Sequence, residues 1–301
     1  EGENVAVYAV RGNFDDAQSG VKNIFSNKTF NKKLDEHGYE LSSANSINWG
    51  RLLPQIVYYF SSYCDLVNKE GLKIGDKVNY TVPTGNFGDI LAGYYAEKMG
   101  LPINKLICAS NSNNVLTEFF KTGVYDKNRT FFKTISPSMD ILISSNLERL
   151  LFHMTQDDNQ INSWMNDLNT KGCYKVSKEI LSEIQKIFSA DWIDEHQTSA
   201  AIKNLYDASK YVADPHTAVA WQAAQNYREN TSDKDTPMIV LSTASPYKFN
   251  ESVLAAIDAS NLCLDADDEF SLLDKLKKFN KYAIPSGLAS LKSAPDRKST
   301  R

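Results

Sequence analysis

Apolar positions along the chain follow two rhythms. Short runs rich in Val and Ile mark strands, and stretches with an apolar residue every third or fourth position mark helices. Val5-Ala6-Val7-Tyr8-Ala9-Val10 is of the first kind and suits a strand buried on both faces. Asn13 or Asp15 then stands where a cap is needed for a helix through Ala17, Val21, Ile24 and Phe25. Residues 27–37 are polar and Lys-rich and read as a linker or a short helix. A long helix follows through Ile56, Tyr59, Phe60 and Tyr63, and Lys77-Val78-Asn79-Tyr80-Thr81-Val82 reads as a strand. It runs into Pro83-Thr84-Gly85-Asn86-Phe87-Gly88, where a helix with Ile90, Leu91, Tyr94, Tyr95 and Met99 begins; Gly100 and Pro102 stop it. Leu106-Ile107-Cys108-Ala109 is the next strand.

Strand, helix and strand at this spacing predict an α/β fold, a mainly parallel sheet with right-handed crossovers and flanking helices. From 136 to 210 helical periodicity takes over, which reads as a helical insertion. Sheet pattern returns at Met238-Ile239-Val240-Leu241, and a Lys-rich helix near 270–280 precedes a polar tail. The expected division is a remnant of a small α/β lobe (1–35), the first part of a large domain (36–135), the insertion (136–210), the second part of the large domain (211–265), and a C-terminal helix with tail (266–301). The strand near 5–10 is expected in a different, smaller sheet from those near 78–82, 105–109 and 238–242. A buried strand so early, with no partner before it, leads to the expectation that the sequence starts inside a larger protein.

Composition narrows the function classes. With 301 residues, 42% of them apolar and 23% charged, the chain has enough material for a sizeable core. Its net charge of −4 argues against a nucleic-acid or anionic-membrane footprint. Cys64, Cys108, Cys173 and Cys263 lie far apart with no metal-ligand spacing, and Cys108 and Cys263 sit in apolar runs that suit buried thiols, in line with a reducing, cytoplasmic setting. There is no apolar run of membrane-spanning length, and acidic residues stand where a signal peptide would be basic.

Three segments carry candidate chemistry. Thr84-Gly85-Asn86-Phe87-Gly88-Asp89 joins a strand to a helix, where glycines allow close backbone approach and free N–H groups favour a phosphate. It is neither a dinucleotide fingerprint nor a nucleotide-triphosphate loop. Asn45-Ser46-Ile47-Asn48-Trp49-Gly50-Arg51 gathers amides, a hydroxyl and a guanidinium suited to an oxyanion. Leu241-Ser242-Thr243-Ala244-Ser245-Pro246 puts hydroxyls at the carboxyl end of a strand, the ligand edge of an α/β sheet. On spacing alone, an ordinary turn or a capped helix is the better reading of each. His37, His153, His196 and His216 have no Ser or Cys partner at a telling position and read as structural or solvent-facing.

Taken in order, six segments resemble threonine synthase, a pyridoxal-phosphate enzyme of fold type II, in its longer fungal and bacterial branch. They are Asn45 to Arg51, Pro83 to Gly93, Ser136-Pro137-Ser138-Met139-Asp140-Ile141, Ser145-Asn146-Leu147-Glu148-Arg149-Leu150, Asp214-Pro215-His216-Thr217-Ala218-Val219 and Leu241 to Ala244. The resemblance implies that Gly85, Asn86, Phe87, Gly88 and Asp89 surround the phosphate of pyridoxal 5'-phosphate and that Thr243 meets the pyridine nitrogen. It also implies that Asn45, Ser46 and Arg51 hold the phosphate of O-phosphohomoserine. The implied reaction expels phosphate from the γ-carbon and adds water at the β-carbon, giving threonine.

The family's Schiff-base lysine sits in a Phe-Lys-Asp context, and no such triplet occurs here; Phe120-Lys121-Thr122 and Phe132-Lys133-Thr134 are misplaced for it. The resemblance therefore covers the C-terminal two thirds of the enzyme, and the fragment is expected to be inactive without the upstream region. Ser245 also stands where the family usually has His. Two other readings stay open: a non-catalytic paralogue that keeps the phosphate loops, and a serine/threonine dehydratase-like lyase. The phosphate clamp weighs against the second, whose substrates carry no phosphate.

Overall fold

The computed structural model describes residues 4, 8–9, 11–12, 14–261, 268–294 and 299–300, in two units: residues 1–44 with 284–301, and residues 45–283. In the first unit, strand β1 (Tyr8–Ala9) is followed by helices α1 (Phe14–Ser26) and α2 (Lys28–Glu36). Asn27 starts α2, its side-chain oxygen accepting from the Phe30 N–H at 3.0 Å. The polar stretch after 27 is thus helical. β1 pairs in parallel with Ser299–Thr300 in a two-stranded sheet of its own, separate from the main sheet as expected. Val5 to Val7, Val10 and Cys263 lie outside the described residues.

The second unit runs α3 (Trp49–Leu52), α4 (Ile56–Lys69), β2 (Val78–Pro83), α5 (Gly88–Lys98), β3 (Ile103–Ser110), α6 (Val115–Thr122) and β4 (Val124–Asp126). It continues with α7 (Leu147–Thr155), α8 (Asp158–Thr170), β5 (Cys173–Lys175), α9 (Lys178–Ile187), β6 (Phe188–Trp192), α10 (Glu195–Ser209), α11 (Pro215–Asn230), β7 (Met238–Val240), α12 (Asn250–Asp258) and α13 (Glu269–Lys277). The main sheet has the order β6-β3-β2-β7 and is parallel throughout. β2 is central and buried at every position, so the polar Asn79 and Thr81 that alternate with Val78, Tyr80 and Val82 must find hydrogen-bond partners inside the protein.

Alternate residues of the strands serve two cores. Tyr80, Val82, Leu106 and Cys108 belong to a large cluster with α4, α5 and α6. Ala109 joins Ile193 and the α11 residues Val219, Ala220 and Ala223 in a second cluster. Alanines along α11 let that helix approach the sheet closely. Asn79, a polar residue inside β2, is satisfied: its amide donates to Asp233 Oδ2 at 2.8 Å.

The stretch from 136 to 210 holds four helices but also two strands that its pattern did not announce. β5 pairs antiparallel with β4, and β6 is an edge of the main sheet, in register from Leu106 opposite Phe188 to Ser110 opposite Trp192. β6 follows α9 with no breaker, and Ile180, Ile184, Ile187 and Phe188 continue a helical spacing. Pairing with β3, not local propensity, decides the strand.

Candidate active site

The loop after β2 is shaped by three local constraints. Thr84 anchors its start, donating its N–H to Ala109 O at 2.8 Å and its hydroxyl to Val82 O at 2.7 Å. Gly85 has no room for a side chain: a Cβ there would stand 2.8 Å from Ser138 O and 3.1 Å from Met139 Cα, both backbone. Phe87 is left-handed (φ 64°), a conformation costing about 1–2 kcal/mol for a residue with a Cβ. Its buried ring, packed between Phe120 and Phe188 at 5.9 and 5.8 Å, offsets that cost. A left-handed residue leading into a helix turns successive N–H groups toward one point. The first N–H groups of α5 have no intrahelical acceptor and carry the positive end of its dipole.

The segment 134–149 buttresses this loop. Asp140 is buried and fully engaged: Oδ1 accepts from Asn111, Asn113 and Thr134 side chains at 2.8, 3.0 and 2.7 Å, and Oδ2 from the Thr134 N–H at 2.8 Å. That network sets the course of Ser136 to Met139 beneath Gly85. Ser144 donates to Gly85 O at 2.8 Å. The Asn146 amide donates to Asn86 O at 2.9 Å and to Ser46 O at 3.0 Å, holding the two candidate anion segments together. Arg149 completes the tie by donating to Ile47 O at 2.7 Å.

One cavity of about 160 Å³ results, lined by Ser46, Arg51, Gln55, the run Pro83 to Ile90, and Ser138. Ser46 and Arg51, assigned from sequence to one phosphate, thus share a cavity with the loop assigned to another. Lysine is not among the lining residues. Gln55 was not legible as a site residue, although it stands four residues after Arg51 on the same helical face; its amide donates to Arg51 O at 2.8 Å. Asp89 tempers the positive potential. Burial pushes its carboxyl up to about 6, against the lowering effect of its hydrogen bond with Tyr59. The Tyr59 hydroxyl donates to Asp89 O at 2.8 Å and lies 3.3 Å from Oδ1.

Two predicted residues stand apart from the cavity lining. Asn45 accepts from the Ile47 N–H at 3.0 Å and shapes the turn before α3. Thr243 is exposed, at the carboxyl end of β7 next to the strand that carries the loop. Ser245 caps the short 3₁₀ turn Pro246–Phe249. His216, read from sequence as an ordinary histidine, is buried in a hydrogen-bonded pair with Asp214 at 2.9 Å, and its Nε2 accepts from the Ser138 N–H at 3.2 Å. An anion fits this arrangement: a cradle that no side chain can enter at Gly85, backbone N–H donors at the start of α5, a guanidinium and an amide.

Known proteins match this chain over most of its length. Residues 217–299 match the family model "Threonine synthase, C-terminal". Threonine synthase of Saccharomyces cerevisiae is 40% identical over 310 residues, covering 97% of this chain and 59% of the yeast protein. Human threonine synthase-like 1 is 44% identical over 274 residues, covering 90% of this chain and 36% of the human one. The structure of pyridoxal-phosphate-bound threonine synthase from Brucella melitensis superposes with a TM-score of 0.78 at 36% identity, over 99% of this chain and 57% of that one. The chain therefore spans between about a third and three fifths of the relatives it matches.

Proposed function

Because the chain belongs, over the stretch it represents, to the threonine synthase family, we propose that it supplies most of the active site of a pyridoxal-phosphate-dependent lyase making L-threonine and phosphate from O-phospho-L-homoserine and water. The observation that carries this reading is the single cavity shared by the strand-to-helix loop and the Ser46–Arg51 segment. Gly85, Asn86, Phe87, Gly88 and Asp89 would hold the cofactor phosphate on converging N–H groups. Thr243 would meet the ring nitrogen with a neutral hydroxyl. Bound there, the cofactor supplies an electron sink for charge that develops as protons leave the substrate's α- and β-carbons.

Asn45, Ser46 and Arg51, with Gln55 beside them, would hold the substrate phosphate. Their role is to orient the γ-carbon–oxygen bond and to stabilise the charge of the departing phosphate, for which a fixed guanidinium is well suited. The lysine that links covalently to the cofactor and shuttles protons belongs, on this reading, to a region outside these 301 residues. This chain alone then binds phosphate-bearing ligands without turnover. A cytoplasmic setting accompanies this biosynthetic role; among the described residues no helix is long and apolar enough to cross a membrane.

A second reading, a non-catalytic paralogue, is favoured by the 44% identity to a threonine synthase-like protein. Arg51→Ala tests the clamp common to both. Arg51 is exposed, so stability should change by less than about 0.5 kcal/mol. Affinity for inorganic phosphate and O-phosphohomoserine, measured on the 301-residue chain by calorimetry, should fall roughly 10- to 100-fold, the value of a charge-assisted hydrogen bond. Unchanged affinity would remove Arg51 from the site. Supplying the remaining region as a co-expressed fragment then separates the two readings: threonine forms only if the chain belongs to a synthase.

A further inference from the structure

The Asp214-Pro215-His216-Thr217 segment does more than start α11. A cap requires only a side-chain acceptor at Asp214, and Oδ1 fills that role, accepting from the His216 N–H at 2.9 Å and the Thr217 N–H at 3.4 Å. Neither a histidine nor a threonine is needed for it. Both are nevertheless buried, and each reaches a different chain segment. His216 Nε2 accepts from the Ser138 N–H at 3.2 Å, so the ring proton sits on Nδ1 and is donated to Asp214 Oδ1 at 2.9 Å. The ring is held from the side by Phe249, with centroids 4.9 Å apart. The Thr217 hydroxyl donates to Asp214 Oδ2 and stands 3.2 Å from Ser242 Oγ, the residue immediately before Thr243. Ser242 in turn lies 3.2 Å from the Tyr211 hydroxyl.

The two ends of this chain of bonds are informative. Ser138 lines the anion cavity, and its carbonyl is the atom that excludes a side chain from Gly85. Ser242 sets the start of the segment carrying Thr243. We propose that His216 is a positioning residue that, with Asp214 and Thr217, sets the phosphate end and the ring-nitrogen end of the cofactor site as one unit. The inference rests on the pyridoxal-phosphate reading above and adds to it the residues that fix the spacing between its two halves. Removing the histidine should loosen both halves. Removing only the Thr217 hydroxyl should loosen the Thr243 half alone.

The test uses the 301-residue chain with two probes, inorganic phosphate for one half and pyridoxal phosphate for both. H216A should weaken phosphate binding roughly tenfold, the loss of one buried hydrogen bond. H216Q, whose amide oxygen can accept the Ser138 N–H, should recover most of it. T217V should bind inorganic phosphate within about twofold of wild type, yet lose pyridoxal phosphate affinity roughly tenfold. In the amide nitrogen–proton spectrum, H216A should shift both Ser138 and Thr243, and T217V should shift Thr243 but not Ser138. Wild-type phosphate affinity in folded H216A, or equal losses of the two probes in T217V, overturns the proposal. If wild type binds phosphate but not pyridoxal phosphate, the cofactor reading fails, while the amide shifts still decide whether the two segments are coupled. Should H216A not fold, the contrast between H216Q and T217V decides by the same criteria.

Discussion

Replacing Asp89 by Asn should stabilise the protein, and by an amount that depends on pH. The Asp89 carboxyl is pushed by burial from 3.8 to about 6. Its folded value therefore lies above its unfolded one. The stability tied to its protonated form is fully present below the unfolded value and is lost as pH rises through about 6. Across that gap the charged carboxylate costs about 3 kcal/mol at neutral pH. The N-terminal dipole of α5 returns some of this, roughly 0.3–1 kcal/mol, leaving a net gain near 2 kcal/mol for the uncharged amide. Asn keeps an oxygen to accept from Tyr59. For a unit of this size, that gain corresponds to a rise in melting temperature of roughly 4–8 °C. Thermal unfolding of wild type and D89N at pH 4.5 and pH 8 measures it. The gain should be largest at pH 8 and shrink to about a third at pH 4.5. Phosphate affinity should rise in parallel, because the carboxylate lines the cavity proposed to take the phosphate. An equal gain at both pH values would refute the assignment of the effect to the ionised carboxylate.

Gly85→Ala should destabilise by about 1–3 kcal/mol and abolish phosphate binding, since the new methyl meets backbone that cannot step aside; Gly20→Ala in α1, where nothing lies within 4 Å, should instead stabilise by about 0.5–1 kcal/mol in the same urea titration. Exposed Cys64 should react promptly with a thiol reagent, whereas buried Cys108, its thiol pushed up to about 12 chiefly by burial, should react only on unfolding; rapid native-state labelling of Cys108 in a mass-spectrometric time course would contradict its place in the sheet.

What could be read from sequence was what local physics decides alone. β2, β3 and β7 announced themselves as short runs holding β-branched, aromatic and aliphatic residues between turn signals. The loop after β2 was visible as two glycines between a strand and a helix. The edge strand β6 was not, because its residues extend the spacing of the helix before it and only its partner makes it a strand. The left-handed turn at Phe87 was equally hidden: nothing in Asn-Phe-Gly marks the phenylalanine rather than a glycine, and the cost is met by rings at 120 and 188. Asp214 and His216 belong to the start of α11, where Asp214 is the cap. The further bonds, of His216 to residue 138 and of Thr217 to residue 242, span separations no local pattern records.

The order of the strands also sets an order of events in folding. Thr81 meets Ile107 across only 26 residues, but meets Val240 across 159. Closing the longer loop costs about 1.6 kcal/mol more in chain entropy, before any of the intervening helices has found its place. β2 and β3 are therefore expected to pair first, with β7 docking onto them afterwards. The residues that line the cavity all lie before residue 140 in the chain, on the early side of that sequence. The end that carries Thr243 arrives late. A ribosome releasing this chain would present the residues that line the cavity well before Phe188 and His216, which pack against and brace them, had been made.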